Sequence, residues 1–562
     1  MTINDIREKL KHTGLDTYVV DYGNKFIGQD VLINEHKLKH LTGFSGSAGI
    51  LAVTADKAFL FVDGRYELQA RMQTNNEQIT VVDELPRLKN VCDYLMMQNL
   101  SKIGYDAWCH SAAEMEFLKR KYKTIDFIDV GDWLNIDSKT KIEVMTRDVQ
   151  FAGMDKSQKC AIISEFIKEK NADYLLISSA DSVSWLLNIY ARDLPFSPVV
   201  RAYALINAKG EAKLFADGLQ TKADAYGFSE LFRVLSVNKE AKVLYDAHTL
   251  PEKFLLDAKE NVKFIKTFDL CQKMKAEKNA VELQGMINCH VRDAVALVKL
   301  FAWLEKNWQD KTELDVVYKL HELRASGQYY FSESFATIAA AGENAAIVHY
   351  QPNENSNWKL TENSLLLIDS GGQYLDGTTD VTRTVVIGKP TDEMIKDFTT
   401  VLKAHIALAK VQFPELTGGI KLDVIARSEI WALGLDYKHG TGHGVACFGN
   451  VHEPPISISI NASDFGLKEN MVCSNEPGIY KKGRYGIRIE NLQYIAKTAN
   501  AGFLQFKYLT KVPIDKTLID KYMLSAEETE WLNYYHKDVY MSLSQYLSKE
   551  EKMWLERACS PL

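Results

Sequence analysis

A chain of 562 residues is longer than one hydrophobic core can organise, so three or four domains are the starting expectation. The formal net charge of -7, with acidic and basic residues mixed along the whole length, leaves no basic footprint for nucleic acid or an anionic membrane surface. The N-terminus MTINDIREKLKHTG lacks the apolar core of a secretory signal, no apolar run approaches a membrane span, and eight scattered cysteines form no CxxC pair. The expectation is a cytoplasmic protein with reduced thiols and neither a nucleic-acid nor a membrane partner.

In chain order, residues 1–150 read as a first α/β unit. A helix over Ile3 to His12 precedes LAVTADKAFLFVDGRY, in which Asp56 supplies a turn between two strands. A polar stretch from Asn135 to about Lys159 leads into the helical CAIISEFIKEK and the strand DYLLISS, opening a second unit over 151–278. Its segment with Asn188, Pro195 and then KLFADG (Lys213 to Gly218) parallels Leu41 to Gly49 followed by FLFVDG (Phe59 to Gly64). Shared Asp-Gly turn chemistry explains such a match as well as duplication does.

From about Glu277 the pattern becomes a long helix, VELQGMINCHVRDAVALVKLFAWLEKNW, and a third unit spans 279–562. Thr312 with Asp315 forms a capping box for a second helix, followed by strands at NSLLLIDSGG, RTVVIGK, NMVCSNEPG and GIRIENLQYI. Ser525 with Glu528 and Ser548 with Glu551 signal two further helices, which make 510–562 a helical extension. No Pro-rich or low-complexity linker separates the units, which favours domains packed together.

The chemistry concentrates in the third unit. Asp369 ends the apolar run LLLI, and a carboxylate at the end of a buried strand needs a partner. Asp380 precedes a second β-rich run, and Gly371, Gly372 and Gly377 permit a reversal that pairs the two strands and brings both carboxylates together. Glu476 ends MVCSN, and Glu490 interrupts GIRIENLQYI, with KKGRYG as the turn between them. Taken singly, Asp380 could be a turn residue and Glu490 could pair with Arg488 or a lysine. Four carboxylates set in apolar β sequence instead favour a site where a cation relieves their repulsion. KHGTGHGVACFGNVHEPP adds His439, His443 and His452 among glycines that let the backbone approach a metal or ligand closely, and His349 in IVHYQP is a fourth histidine. Such a donor set is dominated by hard oxygen ligands and suits Mn²⁺ or Mg²⁺, with Co²⁺, Fe²⁺ or Zn²⁺ as alternatives.

At DSGGQYLDGTTDVTRT, HGTGHGV, NVHEPP, NEPGIY and GIRIEN the sequence resembles the creatinase-like, or pita-bread, metallopeptidases, and among them the aminopeptidase P (Xaa-Pro aminopeptidase) branch in its long cytosolic form. The resemblance spans nearly the whole chain. It implies an α/β (α+β) fold class: two creatinase-like N-terminal α/β domains, then a pita-bread catalytic domain with a helical C-terminal extension. It also implies two divalent metal ions, Mn²⁺ first, held by Asp369, Asp380, His443, Glu476 and Glu490. His349, His439 and His452 fall where the family lines its substrate pocket, and Arg488 and Tyr480 match residues beside it. The implied activity is hydrolysis of the N-terminal Xaa-Pro bond by a metal-bridging hydroxide, with Glu476 as proton shuttle, His452 on the oxyanion, and peptides carrying proline in second position as partners. A homodimer through the catalytic domain is the implied assembly. Proline preference rests on the resemblance alone.

Overall fold

The computed structural model describes residues 1–27, 31–136, 141–220, 225–237, 240–258, 262–354 and 356–562. Residues 137–140 of the polar stretch anticipated after Asn135 therefore lie outside the described residues. The chain divides into two compact units, one comprising Met1–Val149, Met154–Leu194 and Pro198–Cys271, the other Gln150–Gly153, Pro195–Ser197 and Gln272–Leu562.

The first unit contains two six-stranded sheets. In one, the strands run Thr80–Asp83, Ala58–Val62, Ile50–Thr54, Thr17–Asp21, Lys102–Tyr105 and Asp126–Asp129. The turn at Asp56 joins Ile50–Thr54 to Ala58–Val62, which pair antiparallel, and every residue of both strands is buried. One face packs Leu51, Val53, Leu60 and Val62 against the N-terminal helix Ile3–Thr13 through Ile6 and Leu10, while Ile50, Ala52, Phe59 and Phe61 fill the other. Covering both faces explains why these strands read as continuous rather than alternating apolar runs. The second sheet runs Ala225–Tyr226, Ala212–Phe215, Tyr203–Asn207, Tyr174–Ile177, Ala241–Asp246 and Val262–Thr267. Numbered along the chain, both sheets have the order 4-3-2-1-5-6 with the same parallel and antiparallel neighbours. The likeness around FLFVDG and KLFADG thus belongs to a shared topology that extends beyond local turn chemistry.

The second unit opens with the helix Ala280–Asn307, whose N-cap Asn279 accepts from the amides of Val281 and Glu282. Thr312 and Asp315 cap Glu313–Ala325 reciprocally, as expected from their spacing. The strand Ser364–Ser370 lies between Ile338–Ala341 and Val381–Ile387, and its register sets Asp369 opposite Thr382. A six-stranded antiparallel sheet carries Gly442–Gly444, Glu453–Ile458 and Val472–Asn475 side by side, continuing to Asn491–Lys497, Phe503–Tyr508 and Gln412–Pro414. Helices Ala526–Leu543 and Lys549–Ala558, each opened by its capping box, bury Leu532, Tyr535, Val539, Leu543 and Leu555 in the main core.

All eight cysteines are free and buried. Among the described residues, no helix is long and apolar enough to cross a membrane.

Burial of imidazoles makes stability pH-dependent. His536 is fully buried, its Nε2 accepts from the Ile514 amide at 3.1 Å, and burial pushes its pKa down to about 3. Burial likewise lowers His405 to about 3 and His290 to about 4. The folded pKa lies below the unfolded value, about 6.5, so the unfolded chain binds more protons between the two. The contribution is complete above that unfolded value and is lost as pH falls toward the folded one. His536→Gln is expected to flatten the pH dependence of stability relative to wild type by about 1.4 kcal/mol per pH unit below pH 6. Urea unfolding of both proteins between pH 7 and 4 checks this, and parallel curves would refute it.

Candidate metal centre and active site

The reversal between Asp369 and Asp380 is built from the short strands Gly372–Tyr374 and Gly377–Thr378, after which Val381–Ile387 returns antiparallel to Ser364–Ser370. Glu490 follows the strand Tyr485–Arg488 and is pinned from the same neighbour. Its amide donates to Thr382 O at 3.1 Å and its Oε2 accepts from Thr382 Oγ1 at 2.7 Å. Thr382 therefore stands opposite one carboxylate and clamps another. Arg488 does not pair with Glu490. Its Nη2 reaches Asp369 Oδ2 at 2.5 Å and its Nε donates to Thr382 Oγ1 at 3.1 Å.

His443 sits where the register shifts in the pairing of Gly442–Gly444 with Glu453–Ile458. Its Nδ1–H donates to Gly444 O at 3.0 Å, which turns Nε2 toward Asp380 Oδ2 and Glu476 Oε1, each at 3.5 Å. The Glu476 backbone N–H donates to Thr441 O at 2.8 Å, and its Oε1 accepts from Ser474 Oγ at 3.2 Å. Gly442 answers to packing: a Cβ there would stand 2.1 Å from Ser474 O. The glycine serves the approach of two backbones.

Ligand atoms of Asp380, His443 and Glu490 lie within 4.8 Å of one another. Glu476 joins this group through His443. Asp369 stands close enough that its charge raises the pKa values of Asp380 and Glu490, and its Oδ1 is buried without a hydrogen-bond partner among the described residues. Burial, followed by the negative charges of the neighbouring carboxylates, drives the Asp380 and Glu490 carboxyls well above their ordinary range, and burial raises Glu476. An orphaned carboxylate oxygen and mutually repelling acids gathered around an imidazole nitrogen are relieved by cations between them. The residues fit divalent metal ions with hard oxygen and imidazole donors.

The remaining sequence candidates surround this group. His439 Nδ1–H donates to Gly440 O at 2.7 Å and lies 3.8 Å from Glu476 Oε2. With that proton placed, its Nε2 accepts from Tyr480 OH at 2.8 Å, and Tyr480 in turn accepts from Arg488 Nη1 at 2.8 Å. Burial lifts the Tyr480 phenol to about 12, so it stays protonated. His452 is exposed, and its ring meets that of His443 edge-on at 4.3 Å between centroids. His349 lies in the turn after Gly342–Ala346, beside Val348, whose carbonyl accepts from Arg488 Nη2 at 3.5 Å. Thr382, Ser474 and Thr441 were missed, because a hydroxyl or carbonyl that orients a ligand carries no signature in a single sequence.

The profile of metallopeptidase family M24 matches residues 284–497, and that of the C-terminal region of peptidase M24 matches 502–562. Creatinase/prolidase N-terminal domain profiles match 3–136 and 137–282. A probable Xaa-Pro aminopeptidase P of Laccaria bicolor is 36% identical, with 99% of this chain and 92% of that protein covered. The chain belongs to the Xaa-Pro aminopeptidase branch of family M24. It is accordingly a metallo-aminopeptidase, a hydrolase with creatinase N-terminal domains and an M24 pita-bread domain. Xaa-Pro aminopeptidase 1 of Dictyostelium discoideum is 32% identical over 100% of this chain and 96% of its own length. The crystal structure of X-prolyl aminopeptidase from Caenorhabditis elegans, described as a cytosolic enzyme with a di-nuclear active site, superposes with a TM-score of 0.91. It is 33% identical, covering 98% of this M24 chain and 95% of the other.

Proposed function

We propose that Asp369, Asp380, His443, Glu476 and Glu490 hold two divalent ions, Mn²⁺ foremost, and that the enzyme releases the first residue of peptides whose second residue is proline. The observation that carries this reading is the convergence of Asp380, His443 and Glu490 beside the orphaned oxygen of Asp369. Two bound ions would polarise the scissile carbonyl and supply the hydroxide nucleophile.

The protein's own groups do the rest. Glu476, its pKa raised by burial, takes up a proton at a carboxylate oxygen and returns it to the leaving nitrogen. Exposed beside His443, His452 donates to the developing oxyanion. His349 and His439 position the peptide, and the Arg488–Tyr480–His439 chain holds the latter's orientation. Proline lacks an amide donor and has a fixed φ, so its pocket must bind by shape. The same reading keeps domains at 1–150, 151–278 and 279–562, a cytoplasmic location, and a homodimer through the catalytic domain.

Supplied with Mn²⁺, the enzyme is expected to hydrolyse Xaa-Pro-Xaa tripeptides in preference to Xaa-Pro dipeptides. The reverse preference would make it a prolidase. His452→Ala is expected to lower kcat by about 100-fold with metal content unchanged, and an unaltered kcat would remove His452 from the chemistry.

A further inference from the structure

Gln373 lies in the reversal between Asp369 and Asp380 and is completely buried. Its carboxamide joins three segments. Nε2 donates to Gly449 O at 2.6 Å and to Phe196 O at 3.2 Å, and Oε1 accepts from Thr378 Oγ1 at 2.8 Å. Two carbonyls on one side and a hydroxyl on the other fix which end is the amine. The Gly449 amide donates to Thr378 Oγ1 at 3.3 Å, so the reversal grips both the N–H and the C=O of this residue.

Gly449 belongs to the loop that delivers His452. The loop closes on itself through Ala446 N to Asn450 O at 3.1 Å, and Asn450 Oδ1 accepts from Ser197 Oγ at 2.5 Å. Beyond His452, Glu453 is held by the buried ammonium groups of Lys275 and Lys278. The backbone that carries His452 is thus anchored on one side by Gln373 and on the other by Glu453.

We propose that Gln373 is a positioning residue for hydrolysis, holding the His452 loop so that the imidazole meets the reacting carbonyl. This rests on the oxyanion role assigned to His452 above. Hydrophobic burial is no substitute for the amide here: removing it leaves the Gly449 and Phe196 carbonyls without this donor, and they relax toward other partners.

The test is a double-mutant cycle on a metal-loaded enzyme with an Xaa-Pro-Xaa tripeptide. Gln373→Met is expected to lower kcat about 10- to 100-fold, as displacement of a catalytic group does, with KM within about twofold and metal content unchanged. In the His452→Ala background the same change should alter kcat by less than about twofold, because the two residues act as one unit. Thr378→Val, which loosens the same grip, should shift kcat in the same direction by a smaller factor, and it carries the test if Gln373→Met does not fold. Equal losses in both backgrounds, or an unaltered kcat in Gln373→Met, would overturn the proposal while leaving His452 in place. If His452→Ala leaves kcat unaltered, the His452 assignment fails first and the proposal falls with it.

Discussion

Replacing Asp380 or Glu490 by Ala is expected to reduce turnover by more than about 1,000-fold and to strip the metal from the purified enzyme. Each carboxylate contributes to the group whose ligand atoms lie within 4.8 Å of one another. Removing one takes away a donor and leaves the others aimed at a position they no longer neutralise. The effect on stability has the opposite sign in the metal-free state. Both carboxyls are raised well above their ordinary range by burial and by neighbouring negative charges, so without a cation they strain the fold at neutral pH. Metal-free Asp380→Ala should therefore melt no lower than metal-free wild type. Metal-loaded wild type should melt higher than both, since a ligand that binds only the folded state stabilises it by mass action. Elemental analysis, tripeptide hydrolysis and melting with and without chelator decide the matter. Near-normal turnover in either variant, or chelator sensitivity retained in Asp380→Ala, would sink the metal assignment.

The five residues proposed as metal ligands stand out in the sequence for a local reason. Asp369 and Glu476 terminate apolar strand runs, Asp380 precedes one and Glu490 interrupts one, and the expense of burying charge makes such positions conspicuous. The antiparallel return from Asp369 to Asp380 and the capping boxes at Thr312, Ser525 and Ser548 were legible for the same reason, since each depends on residues close in the chain. What escaped was long-range. Arg488 chooses Asp369 over its neighbour Glu490 because of how two sheets face each other. Gln373 looks like any polar residue in a turn, and only the fold brings Gly449 and Phe196 to it. The glycines of HGTGHG suggested approach to a ligand, whereas Gly442 answers to the carbonyl of a neighbouring strand.

Arg383 illustrates how such long-range pairing binds the site to the rest of the domain, and its loss is expected to cost at least about 1–3 kcal/mol of stability, because it leaves buried acceptors unsatisfied. The side chain is buried and directs its five N–H donors at six neutral acceptors, one N–H of Nη2 being shared. Nη1 donates to Thr382 O at 2.8 Å and Glu490 O at 2.6 Å, and Nε to Pro513 O at 3.1 Å. Nη2 donates to Asn491 Oδ1 and Val512 O, both at 2.7 Å, and to Tyr535 OH at 2.8 Å. One planar guanidinium therefore ties the backbone of Glu490, a proposed metal ligand, to the segment that leads into the C-terminal helix Ala526–Leu543. Lysine cannot reproduce this, because an ammonium has three donors and no fixed fork. Burial lowers the Arg383 pKa, which reflects the cost of holding this charge away from water that the hydrogen bonds offset. Arg383→Lys and Arg383→Met should both lower the urea midpoint, and both should weaken metal retention even though no metal ligand has been changed. Weakened retention follows because Glu490 is fixed by its carbonyl as well as by its bonds to Thr382. If either variant lost stability while keeping wild-type metal affinity, the C-terminal helices would be stabilising the domain without reaching its active site.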